Sequence, residues 1–92
     1  MSGNRIRVLH EVSMERARQD EKWGEQNHDD FTWLAILTEE LGEVAEGALV
    51  QVYEGSGTPH DVRAELIQVA AVAVSWIECL DRCTERVDDE AS

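Results

Sequence analysis

The run "LIQVAAVAVSWI" (residues 66–77) limits the possible folds more than any other stretch. It is nearly uncharged and about the length of a buried core helix, and too short to span a bilayer. A helical wheel places Glu65, just before it, on the same face as Val69, Val72 and Trp76. An ionised carboxylate on the most apolar face of a chain is costly unless it is paired. The chain must therefore pack this helix against other elements and also provide for Glu65. With 92 residues there is material for one domain, 1–92, and a modest core. Association into an oligomer would supply further core.

Glycine and proline divide the rest. A first, mostly polar helix is expected over residues 5–22, with Ile6, Leu9 and Val12 at helical spacing, a fading amphipathic signal after Met14, and Gly24 as its stop. Residues 23–30, "WGEQNHDD", read as a polar loop. A second helix should start near Phe31, capped by Asp29, Asp30 or Thr32, and run to Tyr53 before "EGSG". The third has Thr58 as N-cap, Pro59 at its first position and Asp61 in its first turn, and should reach about Arg86 before "VDDEAS" frays. No stretch alternates as a strand. The expected class is all-α, a helical bundle.

Charge narrows the function. Twenty acidic residues against eight basic ones leave a net charge of −12, which argues against nucleic-acid and anionic-membrane partners. It suits a collector of metal cations, or a chain kept soluble by charge. Cys79 and Cys83, four apart in a helix, read as plain thiols of a reducing compartment. "MSGNRIRVLH" lacks the apolar core of a signal peptide, so a soluble, cytoplasmic protein is expected.

The acidic residues are densest in "TEELGEVAE" (residues 38–46). On the second helix, Trp33, Leu34, Leu37, Leu41, Val44, Ala45 and Ala48 form a broad apolar arc, with Glu40 at its edge and Glu43 beside it. Glu39 and Glu46 turn toward solvent. Like charges three apart on a helix cost roughly 0.2–0.5 kcal/mol even when solvated. Two outcomes are open. The glutamates could be rim residues, one of them paired with Arg16 or Arg63. Alternatively, Glu40, Glu43 and Glu65 converge between two packed helices and bind Mg2+ or Mn2+, hard ions that prefer oxygen ligands. A di-iron site of the ferritin type would need Glu-x-x-His on helices, and the only such pair, Glu25 and His28, is in the loop.

"EELGEVAE" followed by "ELIQVA" resembles the MazG-like, all-α nucleoside triphosphate pyrophosphohydrolase family, whose signature is E-x-x-E, a spacer, then E-x-x-D. Glu40 and Glu43 match the first half, and Glu65 with Gln68 the second. The preceding "KWGEQNHDDFTWLAIL" is similar to the dCTP pyrophosphatase branch, so the likeness spans roughly residues 15–80. Gln68 departs from the pattern: its amide oxygen can ligate a metal but brings no charge. Asp61, one turn before Glu65, could replace the missing carboxylate or be only a helix-start residue.

The resemblance implies metal-dependent hydrolysis of a nucleoside triphosphate to monophosphate and pyrophosphate. Glu40, Glu43, Glu65 and Gln68 would hold Mg2+, and Glu39 would orient a ligand or the attacking water. Trp23, Asn27 and His28 are candidates for the base, Lys22 and Arg63 for the phosphates. Trp33 and Trp76 read as core. The resemblance also implies bundles completed in a homodimer or homotetramer. The contrasting expectation is a non-enzymatic acidic interaction protein, with its charge spread over exposed faces and indifferent to divalent metal.

Overall fold

The computed structural model describes residues 3–53 and 59–91, with side chains described over 3–50 and 62–83. Three helices follow in order: α1 (Gly3–Trp23), α2 (Asp30–Tyr53) and α3 (Pro59–Ala91). The described residues hold no strand, so the all-α expectation stands. None of their helices is long and apolar enough to cross a membrane.

The helix ends follow local chemistry. Gly24 has φ 73° and its N–H donates to the Asp20 carbonyl at 2.8 Å, which closes α1 with a left-handed cap. A side chain there would strain that backbone, although no atom lies within 4 Å of where its Cβ would stand. Gly24→Ala should therefore cost about 1–2 kcal/mol, measurable by urea unfolding, and an unchanged midpoint would contradict the cap. Of the three possible caps for α2, Asp29 is the one used. Its Oδ1 accepts from the Thr32 N–H at 2.7 Å and its carbonyl from the Trp33 N–H at 3.0 Å. These bonds with Thr32 hold the Asp29 carboxyl below its ordinary range. Pro59 opens α3 as expected, whereas Thr58 lies outside the described residues. The expected fraying after Arg86 does not occur, and α3 continues to Ala91. No glycine or proline lies in that stretch to stop it.

The long α3 is the centre of the fold. α1 and α2 each pack against it and not against each other. Trp33 of α2 meets Val72 and Cys79 of α3, with Ile36, Leu37 and Trp76 packed around them. On α1, only Val12 of the expected apolar positions is buried; Ile6 and Leu9 are exposed. The broad apolar arc expected on α2 is only partly covered. Trp33 is 1% exposed, but Leu34 and Leu41 are about half exposed, and Ala45 is exposed too. Among the described helices α3 alone packs on α2, which can therefore bury one narrow stripe.

The α1–α2 connection is fastened to α3 by side chains one turn apart. Arg82 donates to the Gln26 carbonyl at 2.9 Å and to Asn27 Oδ1 at 3.1 and 3.2 Å, and lies 3.4 Å from the Glu25 carboxylate. The Cys79 thiol donates to the His28 carbonyl at 3.7 Å, and Trp76 Nε1 to Asp30 Oδ1 at 3.0 Å. Cys79 and Cys83 are both free thiols, the first buried and the second exposed.

Candidate metal centre and adjoining cleft

Because α1 and α2 do not touch, a cleft of about 280 Å³ opens between them with α3 as its floor. Arg16, Trp23, His28, Trp33, Glu40 and Gln68 are among its walls. The three glutamates meet at its edge. One carboxylate oxygen each from Glu40, Glu43 and Glu65 all lie within 4.8 Å of one another; Glu40 and Glu65 are half-buried and Glu43 is exposed. Glu40 and Glu43 share a face of α2 because they are three apart, and α3 brings Glu65 to them across the helix pair.

The electrostatics follow from this crowding. Burial raises the Glu40 carboxyl above its ordinary value, and the charges of Glu43, Glu39 and Glu15 push it the same way. Glu65 is raised too, first by a hydrogen bond with Glu43, then by burial and by the charges of Glu43 and Glu40. No ion pair among the described residues relieves them. Arg16 bonds Glu78 at 2.8 Å and Asp20 at 2.9 Å, and Arg63 bonds Glu11 of α1. Pairing of Arg16 or Arg63 with the cluster is thus not what the fold adopts. Three converging oxygen donors without a cation fit a hard divalent ion by donor chemistry.

The other expected site residues divide clearly. Gln68 lines the cleft, half-buried, and its side chain is hydrogen-bonded to Glu15. Trp23 lines it as well, 55% exposed. His28 stands edge-on to Trp33, ring centroids 4.9 Å apart. Glu39 is exposed beside Glu40. Asn27 is not in the wall; its amide bonds Glu25 and Arg82 instead. Lys22 lies 4.6 Å from the centre of the Trp23 ring, a cation–π contact. Arg63, held by Glu11, is likewise absent from the cleft wall. The side chain of Asp61 lies outside the described residues.

Two residues were not among the candidates. Arg16 is the basic side chain that lines the cleft, only 12% exposed, and oriented by Glu78, Gln19 and Asp20. Glu15 of α1, outside the three-glutamate cluster, reaches the site through a hydrogen bond with Gln68. Its hydrogen bond with Arg18 keeps it below its ordinary value despite burial, and its charge reaches Glu40. Helical spacing from Val12 was the available signal: positions 12, 15 and 19 share the inward face of α1. That face turns polar after Met14 because there it leaves the core and enters the cleft.

Arg82 should matter to this wall through the loop it holds. Arg82→Ala removes the donors to Gln26 and Asn27, and should make backbone amides of residues 25–28 exchange with solvent at least about tenfold faster. Unchanged exchange there would show that the Cys79 and Trp76 bonds suffice.

Comparison of the chain with protein-family models, curated proteins and solved structures finds no match.

Proposed function

We propose that the protein is a divalent-metal-dependent nucleoside triphosphate pyrophosphohydrolase, releasing a monophosphate and pyrophosphate. The observation that carries this reading is the convergence of Glu40, Glu43 and Glu65 at the edge of a cleft walled by aromatic and amide side chains. The resemblance of "EELGEVAE" and "ELIQVA" to the MazG-like family points to the same chemistry.

Glu40, Glu43 and Glu65 would hold Mg2+ or Mn2+. When bound, such an ion supplies neutralisation of the triphosphate charge and a water acidified enough to attack near neutral pH. The water oxygen bonds to the α-phosphorus, the bond from that phosphorus to the bridging oxygen breaks, and pyrophosphate leaves. The water's proton would pass to solvent or to a carboxylate at the cleft edge, and exposed Glu39 is the candidate to orient the water. Arg16 offers a preoriented guanidinium to a phosphate oxygen. Trp23 and His28 offer ring faces and a ring nitrogen to the base. Gln68, bonded to Glu15, contributes an amide oxygen where the resembled signature has a carboxylate.

The test is a panel of ribo- and deoxyribonucleoside triphosphates with Mg2+ or Mn2+, resolving monophosphate and pyrophosphate. Glu43→Gln should lower turnover by at least about a hundredfold. Silence across the panel from folded protein, or activity untouched by that variant, would reject the proposal. A silent panel would leave the acidic interaction protein as the reading to pursue.

A further inference from the structure

Residue 68 is where the chain departs from the signature it resembles, and the fold sets a carboxylate of another helix against it. Gln68 stands one turn after Glu65 on α3, half-buried, in the cleft wall that also contains Glu40. Its side chain is hydrogen-bonded to Glu15 of α1. The Glu15 side chain is 12% exposed, and Arg18 donates to both of its oxygens, from Nε at 2.9 Å to Oε1 and 3.1 Å to Oε2. Gln19, one turn further along α1, is bonded to the same carboxylate. We propose that Glu15 is a positioning residue: it takes the Gln68 amide N–H and so turns the Gln68 carbonyl oxygen into the cleft, as a further oxygen donor for the metal centre. This role rests on the proposed binding of Mg2+ or Mn2+ by Glu40, Glu43 and Glu65.

The chemistry of the two groups fixes the orientation. A glutamine amide has a donating end and an accepting end, whereas an ionised carboxylate only accepts. Glu15 is ion-paired with Arg18, so the N–H2 end of Gln68 must face it and the carbonyl oxygen must face elsewhere. Gln19 obeys the same constraint. Its N–H2 is committed to Glu15, and its Oε1 accepts from Arg16 Nη1 at 3.1 Å. One carboxylate thereby sets two amides, the first toward the cleft and the second toward the cleft's guanidinium. A carboxylate at position 68 would need no such help, because both of its oxygens accept whichever way it turns. An amide offers one oxygen, and a flip would aim its N–H2 at the cation instead. Glu15 therefore restores direction at this position rather than charge, since its own charge is balanced by Arg18. Groups that orient a metal ligand in this way are worth about 10–100-fold in metal affinity.

The test is Mn2+ binding by the full chain without substrate, read from the electron paramagnetic resonance signal of free aqueous Mn2+. Glu15→Gln should weaken binding about tenfold or more, because an amide at 15 can face Gln68 with either end. Glu15→Asp keeps the charge but draws the carboxylate back by one methylene, and should weaken binding similarly. Gln68→Met, close in volume but without the amide, should weaken it as well. Adding Glu15→Gln to Gln68→Met should then change binding by less than about twofold. If Glu15→Gln loses its helicity, Glu15→Asp completes the same cycle. Equal losses with and without Gln68→Met overturn the proposal, because Glu15 would then act through charge or folding. Wild-type affinity in both Glu15 variants overturns it too. A wild type that binds no Mn2+ overturns the metal centre itself and this role with it, a result distinct from the others, in which Mn2+ binds.

Discussion

Glu65→Gln should raise the melting temperature of the metal-free protein at pH 7, and should erase the further rise that millimolar Mg2+ or Mn2+ gives the wild type. The first effect follows from crowding. Glu65 and Glu40 are both held above the ordinary carboxylate value of 4.5, so the folded state binds their protons more tightly than the unfolded chain does. Stability from those protons is complete below 4.5 and is lost as pH rises through the raised folded values. At pH 7 the ionised cluster therefore opposes folding, and a neutral amide at 65 removes part of that repulsion. The second effect is linkage. An ion that binds only the folded state adds about 2.7 kcal/mol at a hundredfold excess over its dissociation constant, or roughly ten degrees or more in a chain this small.

The pH dependence separates metal binding from general salt effects. Protons and metal compete for the same oxygens, so the wild-type metal shift should shrink as pH falls from 7 toward the raised values of Glu40 and Glu65. Glu15 and Asp29 act in the opposite sense. Their carboxyls are held below the ordinary range, so their contribution is present at neutral pH and is lost on acidification through those lowered values. Comparing shifts with and without metal at each pH cancels most of that background. A metal shift of equal size in wild type and Glu65→Gln would remove the cluster as the binding site.

The parts of the fold legible in the sequence are those governed by local chemistry. Gly24 as a stop, a cap at "DDFT", Pro59 as a start and the inward face of Val72 and Trp76 each depend on a few neighbouring residues. The meeting of Glu40, Glu43 and Glu65 was legible too, because a carboxylate on an apolar stripe has few places to go once two helices pack. Partners across helices were not. Arg63 reads as a partner for a cluster glutamate or for a phosphate, and only the packing of α1 shows that Glu11 holds it. Asn27 reads as a loop residue able to meet a base, but Arg82, 55 positions later, occupies its amide oxygen. Glu15 and Arg16 follow the last clear apolar position of α1, where hydrophobic periodicity ceases to report which side faces inward. A cleft wall is polar by need, so a search for apolar stripes passes over it.

Trp33→Ala should cost about 3–5 kcal/mol, a large share of the roughly 5–14 kcal/mol available to a chain of this length. Trp33 is the largest fully buried side chain among the described residues, and it joins three parts of the molecule. It packs on Val72 and Cys79, stands against the His28 ring and forms part of the cleft wall. Few other buried groups could compensate: the buried apolar set among the described residues otherwise comprises Val12, Ala71, Val72 and Cys79. Trp33→Phe distinguishes packing from polarity. The indole Nε1 is buried without a nitrogen or oxygen partner, with the Cys79 thiol beside it. Phenylalanine keeps most of the ring contact and removes that unsatisfied donor, so its cost should stay below about 1.5 kcal/mol. Urea unfolding followed by circular dichroism reads both variants without relying on tryptophan emission. A Trp33→Ala midpoint close to wild type would mean that the small core inside one chain does not limit stability.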